Sequence, residues 1–183
     1  MISLDAPPPL SFADFQRRCR DELAPEDFAT VQAIARNEVV TETTETAPSM
    51  PRFYRRWRAV ETQIRNAVAT RRGRAANVAA APYRRNHEGY RVDIEQAVES
   101  AFALSSPLEQ ERALDRLRWE ILEELGGTDP FTSDAMLAYA CRLRFSERWC
   151  NLTDGAGEKA FQETLKKIID ETSSFAGTPA APA

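Results

Sequence analysis

Eleven arginines crowd residues 52–91, where only two acids, Glu61 and Glu88, oppose them. Guanidinium groups bind carboxylates and phosphates in forked pairs, so this segment carries the strongest recognition chemistry in the chain. The flanks have the opposite sign. Residues 1–51 carry a net charge of -5, residues 52–91 of +9 and residues 92–183 of -8. Such polarity implies a basic stripe meeting an acidic surface, either within the chain or on a partner. At 100° per residue, Arg52, Arg55 and Arg58 project opposite Phe53, Trp57, Val60 and Ile64, with Arg65 on the flank. These four arginines are the candidate partner-binding residues. One reading makes them a solvated face that pairs with this chain's own acidic helices. The others give them to an acidic protein partner or to nucleic acid. Phe53, Tyr54 and Trp57 interleave the arginines as in RNA binders. Their helical spacing instead places them in a core, and a pI near 5.2 argues against a dedicated nucleic-acid binder.

Catalytic signals are absent. His87 is the single imidazole, set in the polar run Arg84-Arg85-Asn86-His87-Glu88-Gly89, and reads as a surface loop residue. Cys19, Cys141 and Cys150 form no CxxC pair and lack the histidine partners of a metal site. They read as free thiols in a reducing compartment. Paired acids such as Glu123-Glu124 fall on solvated helix faces, where a general acid gains no desolvation. Neither a GxxxxGK[ST] loop nor a GxGxxG after a strand is present. The sequence therefore predicts a non-enzyme with no catalytic residue, cofactor or metal.

Apolar periodicity places those residues on helices. Ser11 is a predicted N-cap for a helix carrying Phe12, Phe15, Cys19 and Leu23. Pro25 opens a second, with Phe28, Val31 and Ile34 or Ala35 inward. A long helix starts near Pro51, with Phe53, Trp57, Val60, Ile64 and Ala67-Val68 buried, and Gly73 is expected to end or loosen it. Residues 75–91 are ambiguous. Ile94, Ala97-Val98 and Ala101-Phe102 mark another helix. Ser106-Pro107-Leu108-Glu109 reads as a capping box before the stripe Leu114, Leu117, Ile121, Leu125, which Gly126-Gly127 stops. From Thr132 or Ser133 a further helix buries Leu137, Ala140-Cys141, Phe145, Trp149 and Leu152. The last runs from about Gly155 to Glu171, with Phe161, Leu165 and Ile168-Ile169 inward.

The prediction is an all-α fold of six or seven mostly antiparallel helices in one or two lobes. Residues 1–40 form an N-terminal helical pair, 41–51 a linker, 52–172 the main helical domain and 173–183 a disordered tail. Met1–Pro7 has neither the basic start nor the apolar run of a secretory signal. No stretch approaches the roughly 18 apolar residues of a membrane span. A cytoplasmic location is expected.

Three stretches resemble a family of uncharacterised bacterial proteins encoded beside V-type ATPase subunits. They are Pro7–Phe15 with Cys19–Asp27, then Leu114-Asp115-Arg116-Leu117-Arg118-Trp119, then Asp129-Pro130-Phe131 with Leu137-Ala138-Tyr139-Ala140 and Glu147-Arg148-Trp149. That family is similar to a reduced C/d subunit, the helical funnel between rotor shaft and membrane ring. The resemblance implies a non-catalytic accessory subunit in the central stalk, which contacts rotor and stalk subunits and the membrane ring without inserting into the bilayer. It implies no small-molecule substrate. A helical RNA-binding or regulatory protein using the Arg-rich helix is the alternative.

Overall fold

The computed structural model describes residues 2–36 and 51–176. It is all-α, as the periodicity predicts: seven α-helices and no strand among the described residues. They are α1 (Phe12–Glu22), α2 (Pro25–Arg36), α3 (Arg52–Ala76), α4 (Val92–Ala101), α5 (Pro107–Gly126), α6 (Ser133–Asn151) and α7 (Asp154–Ala176), with a short 3-10 turn at Ala81–Tyr83.

Local chemistry fixes most helix ends. The Ser11 hydroxyl accepts from the Asp14 amide at 3.0 Å and donates to the Asp14 carboxylate at 2.8 Å, which satisfies an otherwise orphaned donor at the start of α1. Thr132 caps α6 in the same way, accepting from Ala135 at 3.1 Å. At α5, Pro107 occupies the first turn, but the Ser106 side chain makes no cap bond. The capping box read from the sequence does not form, and proline alone presets the first turn. Gly73 does not end α3, which continues to Ala76 and stops at Asn77 in the left-handed conformation, φ 54°. Gly73 instead makes room for the returning chain, since a Cβ there would lie 2.7 Å from the Val78 carbonyl oxygen.

The α5–α6 pair is the most extensive packing in the fold, followed by α3–α4 and α4–α5. Gly126 permits it, because a Cβ there would sit 2.9 Å from the Ala138 Cβ. Leu117, Ile121, Leu122 and Leu125 of α5 meet Leu137, Ala138, Cys141 and Leu143 of α6, all buried. The same core takes Phe53, Trp57 and Ile64 from α3, Ile94 and Val98 from α4, and Val31 and Ile34 from α2. It also takes Ile2 and Leu4 from a segment that the sequence reading left unassigned. Ser146 donates to the Ala6 carbonyl at 2.9 Å and Glu147 accepts from the Phe12 amide at 2.6 Å. The N-terminal residues are thereby fastened to α6.

Two expectations fail at the C-terminal end. Leu152 is exposed, and so are Phe161, Leu165, Ile168 and Ile169, which were expected inward. Amphipathic spacing reports that a helix has an apolar side, not that its own chain covers that side. Residues 173–176 belong to α7 instead of a tail. Residues 177–183 of that tail, and residues 41–50 of the linker, lie outside the described residues.

Leu117 and Trp149 sit on the dense α5 and α6 stripes. Replacing either with alanine is expected to cost about 2–5 kcal/mol of stability. Chemical denaturation checks this, and an unchanged midpoint for both variants would show the core to be elsewhere.

Candidate binding cleft

α3 divides the predicted arginine stripe. Arg52 and Arg55 are exposed and make no ion pair among the described residues. Arg58 is half-buried, with its guanidinium 6.0 Å from the centre of the Tyr54 ring. Arg65 pairs with Glu61 at 3.6 Å. The cause is a drift of the buried face along the helix. Phe53, Tyr54 and Trp57 are covered near the start, whereas Gln63, Ile64, Asn66 and Ala67 are covered farther along. The buried aromatics are core residues, as their spacing predicts, which removes them as platforms for stacking bases. Farther along, the basic segment meets this chain's own acids. Arg71 lies 3.3 Å from Glu99, and Arg91 grips Asp93 at 2.7 Å and Glu124 at 2.9 Å.

Arg58 and Arg65 face a cleft of about 1020 Å³ bounded by α2, α3, α5, α6 and the loop after Ala81. Its charged lining comprises six arginines (58, 65, 85, 118, 144 and 148) and three acids, Glu61, Glu111 and Asp115, a net of +3. Its floor is a chain of ion pairs. Asp115 has no solvent exposure and accepts from Arg118 at 3.0 Å, Arg148 at 3.0 Å and the Trp149 indole at 3.0 Å. Arg118 also donates to Glu61 at 2.7 Å, and Arg148 lies 3.5 Å from Glu111. Burial pushes the Asp115 carboxyl above its ordinary value, while Arg118, Arg148 and Trp149 pull against that rise. Burial also works against the charge on Arg118, but Glu61 and Asp115 overcome it and hold the guanidinium protonated. The sequence reading found no desolvated carboxylate. Asp115 is one, and its signal was masked because it lies between apolar α5 positions in a charge-rich helix.

The wall opposite α6 is a loop pinned by two buried amides. Asn66 donates to the Arg85 carbonyl at 2.7 Å and accepts from the Arg85 amide at 2.9 Å. Gln63 does the same for Arg91, at 2.7 Å and 3.0 Å. Each amide side chain thus replaces a strand partner for one loop residue and satisfies its backbone groups. Arg84, Arg85 and Asn86 are exposed on this loop, and His87 is half-buried. A smaller recess of about 440 Å³ lies against Arg84, Arg85, Asn86, His87, Asn66 and Ala81.

All three cysteines are free thiols. Cys19 and Cys141 are buried and Cys150 is half-buried. Burial pushes the Cys19 and Cys141 thiols up, away from the reactive thiolate. Among the described residues no cluster of three histidine, cysteine or acidic side chains is arranged to hold a metal ion. No helix there is long and apolar enough to cross a membrane.

Residues 92–172, less than half of the chain, match the family described as "Protein of unknown function (DUF2764)". That stretch runs from the start of α4 through most of α7. No curated protein and no solved structure matches the chain.

Two variants test this construction. Asp115→Ala leaves Arg118 with Glu61 alone and takes the acceptor from Arg148 and Trp149, and is expected to cost about 3–5 kcal/mol, read by denaturation; a loss under about 1 kcal/mol would mean that Glu61 and water satisfy these donors. Asn66→Ala is expected to free the loop, so trypsin should cut after Arg84 or Arg85 far faster than in the wild type, with the melting curve still cooperative.

Proposed function

We propose that this protein is a non-catalytic coupling subunit, a peripheral component of a V-type ATPase seated in the central stalk between rotor shaft and membrane ring. The observation that carries this reading is the uncovered face of α7. Phe161, Leu165, Ile168 and Ile169 recur at helical spacing and remain 40–63% exposed, and none joins the core. Fully burying such a side chain gains about 1.5–3 kcal/mol, so a contiguous stripe of four is a strong docking face for another helix. The residues matched to the family of unknown function include this stripe. The resemblance of the three stretches quoted above supplies the identity of the partner.

Arg52 and Arg55 provide a second contact of different character. They stand in solvent, and in this reading they steer association with an acidic stalk surface. Arg58 and Arg65 lie behind them on the cleft side and contribute to the same positive field. The cleft floor, with its charges matched to one another, is assigned a structural role. The RNA-binding alternative has less support, because Phe53, Tyr54 and Trp57 are in the core.

The test is recovery of ATPase subunits with the tagged full-length chain from native membranes. The wild type should recover stalk subunits. Leu165→Glu with Ile169→Glu should abolish recovery while leaving circular dichroism and melting temperature unchanged, because neither residue packs in the core. Arg52→Glu with Arg55→Glu should weaken recovery and flatten or reverse its salt dependence. Recovery of no ATPase subunit by the wild type would sink the proposal.

A further inference from the structure

The geometry points to a binding site for a phosphate-bearing small molecule of mononucleotide size in the joined recesses beside the 84–87 loop. The site is independent of the α7 face and of the coupling role, and its ligand is bound, not turned over. The two recesses meet at Asn66, Arg85 and Asn86, which line both. The smaller gathers Arg84, Arg85 and His87 around a recess of about 440 Å³, ample for a phosphoryl group. The larger offers the organic portion an open cleft with a net positive lining and the face of Tyr83 at its mouth.

Three features separate this arrangement from a chance basic surface. First, the loop is pre-organised. Two amide side chains only 3% and 6% exposed, Gln63 and Asn66, pair with both backbone groups of Arg91 and Arg85. Loop ordering is therefore complete before a ligand arrives, which removes a main cost of binding. Second, the Arg85 backbone is fully satisfied while its guanidinium is exposed and makes no ion pair among the described residues. Many other cleft arginines are spent on Glu61, Asp115 or Glu111. Third, the His87 Nδ1 is buried and has no hydrogen-bond partner. A buried ring nitrogen left unmatched is costly, and a rotation of the half-buried ring would present it to a phosphoryl oxygen in the recess that the residue lines. Arg84 and Arg85 offer forked donors and His87 a single one around the same recess, a donor set that suits a phosphoryl group.

The site is tested on the full-length chain by isothermal titration calorimetry with ATP, ADP, AMP and inorganic phosphate at about 150 mM salt, where diffuse attraction is screened. The wild type should bind at least one nucleotide, with inorganic phosphate weaker but competitive. Arg85→Ala with His87→Ala should reduce affinity by about tenfold or more. Both Asn66 bonds go to the Arg85 backbone, so this variant keeps the loop in place, which unchanged resistance to tryptic cleavage after Arg84 would verify. Arg52→Ala with Arg55→Ala, on solvent-exposed positions that do not line the cleft, should bind as the wild type does. The inference is overturned if none of the four probes binds at about 1 mM, a threshold well above typical cofactor affinities. Equal weakening by the Arg52/Arg55 variant, or inorganic phosphate binding as tightly as every nucleotide, would overturn it too. None of these outcomes depends on recovery of ATPase subunits, so this site and the coupling role can fail separately.

Discussion

A carboxylate removed from water must find donors or lose its charge, and the packing of α3, α5 and α6 follows from how Asp115 meets that demand. Its three donors come from its own helix and from α6: Arg118 one turn on, then Arg148 and Trp149. Arg118 carries the linkage to α3 through Glu61. An ion pair of this kind gains little net stability over an apolar substitute, because desolvation offsets most of the attraction. What it imposes is register. A one-turn slip of α6 against α5 would separate Arg148 and Trp149 from the carboxylate and leave a buried charge exposed to the full cost. Apolar packing tolerates such slips far better than charges do, so the leucines give this bundle its stability and Asp115 gives it one arrangement.

The same economy explains the basic segment. Eleven arginines on 40 residues would repel one another if left together, and the fold disperses them. Arg71 and Arg91 turn to the acids of α4 and α5, and cation–π contacts take Arg58 and Arg72 toward Tyr54 and Phe102. What remains in solvent without an ion pair among the described residues is a smaller set, Arg52, Arg55 and Arg56 at the start of α3, Arg74 near its end, and Arg84 and Arg85 on the loop. The charge polarity between residues 52–91 and their flanks is thus in part an internal complementarity, with surpluses left on α3 and on the loop.

Helix identity was legible because each helix with a buried stripe announces it at a 3.6-residue period, and Ser11, Pro25, Pro107 and Thr132 mark starts through chemistry local to one turn. The cleft was not legible for the opposite reason. Asp115, Arg148 and Glu61 are separated by tens of residues, and nothing in a single helix says that their faces converge. Gln63 and Asn66 were hidden for a related cause: a polar residue in an exposed-looking register is indistinguishable, in sequence, from one that reaches across to hold a loop backbone. Val60, which a single helical wheel places inward, is only half-buried, because the buried face of α3 rotates along its length. Leu152 and the α7 stripe erred in the other direction, where periodicity was right about amphipathicity and silent about what covers it.

The contrast between α6 and α7 shows why that silence matters for function. Both helices are amphipathic and carry apolar residues at helical spacing, Leu137, Cys141 and Phe145 among them on α6 and Phe161, Leu165 and Ile168 on α7. On α6 those residues meet α5, the N-terminal segment, and the α1–α2 pair, so their burial is spent on folding this chain. On α7 the corresponding residues remain 40–63% exposed, so much of the free energy that their burial can yield has not been used by the fold. Unspent apolar area on an otherwise well-packed helical protein is available for association alone. In the proposed reading, folding and association are divided between consecutive helices. Changes on α6 should be read in the melting curve, and changes on α7 in the company the protein keeps.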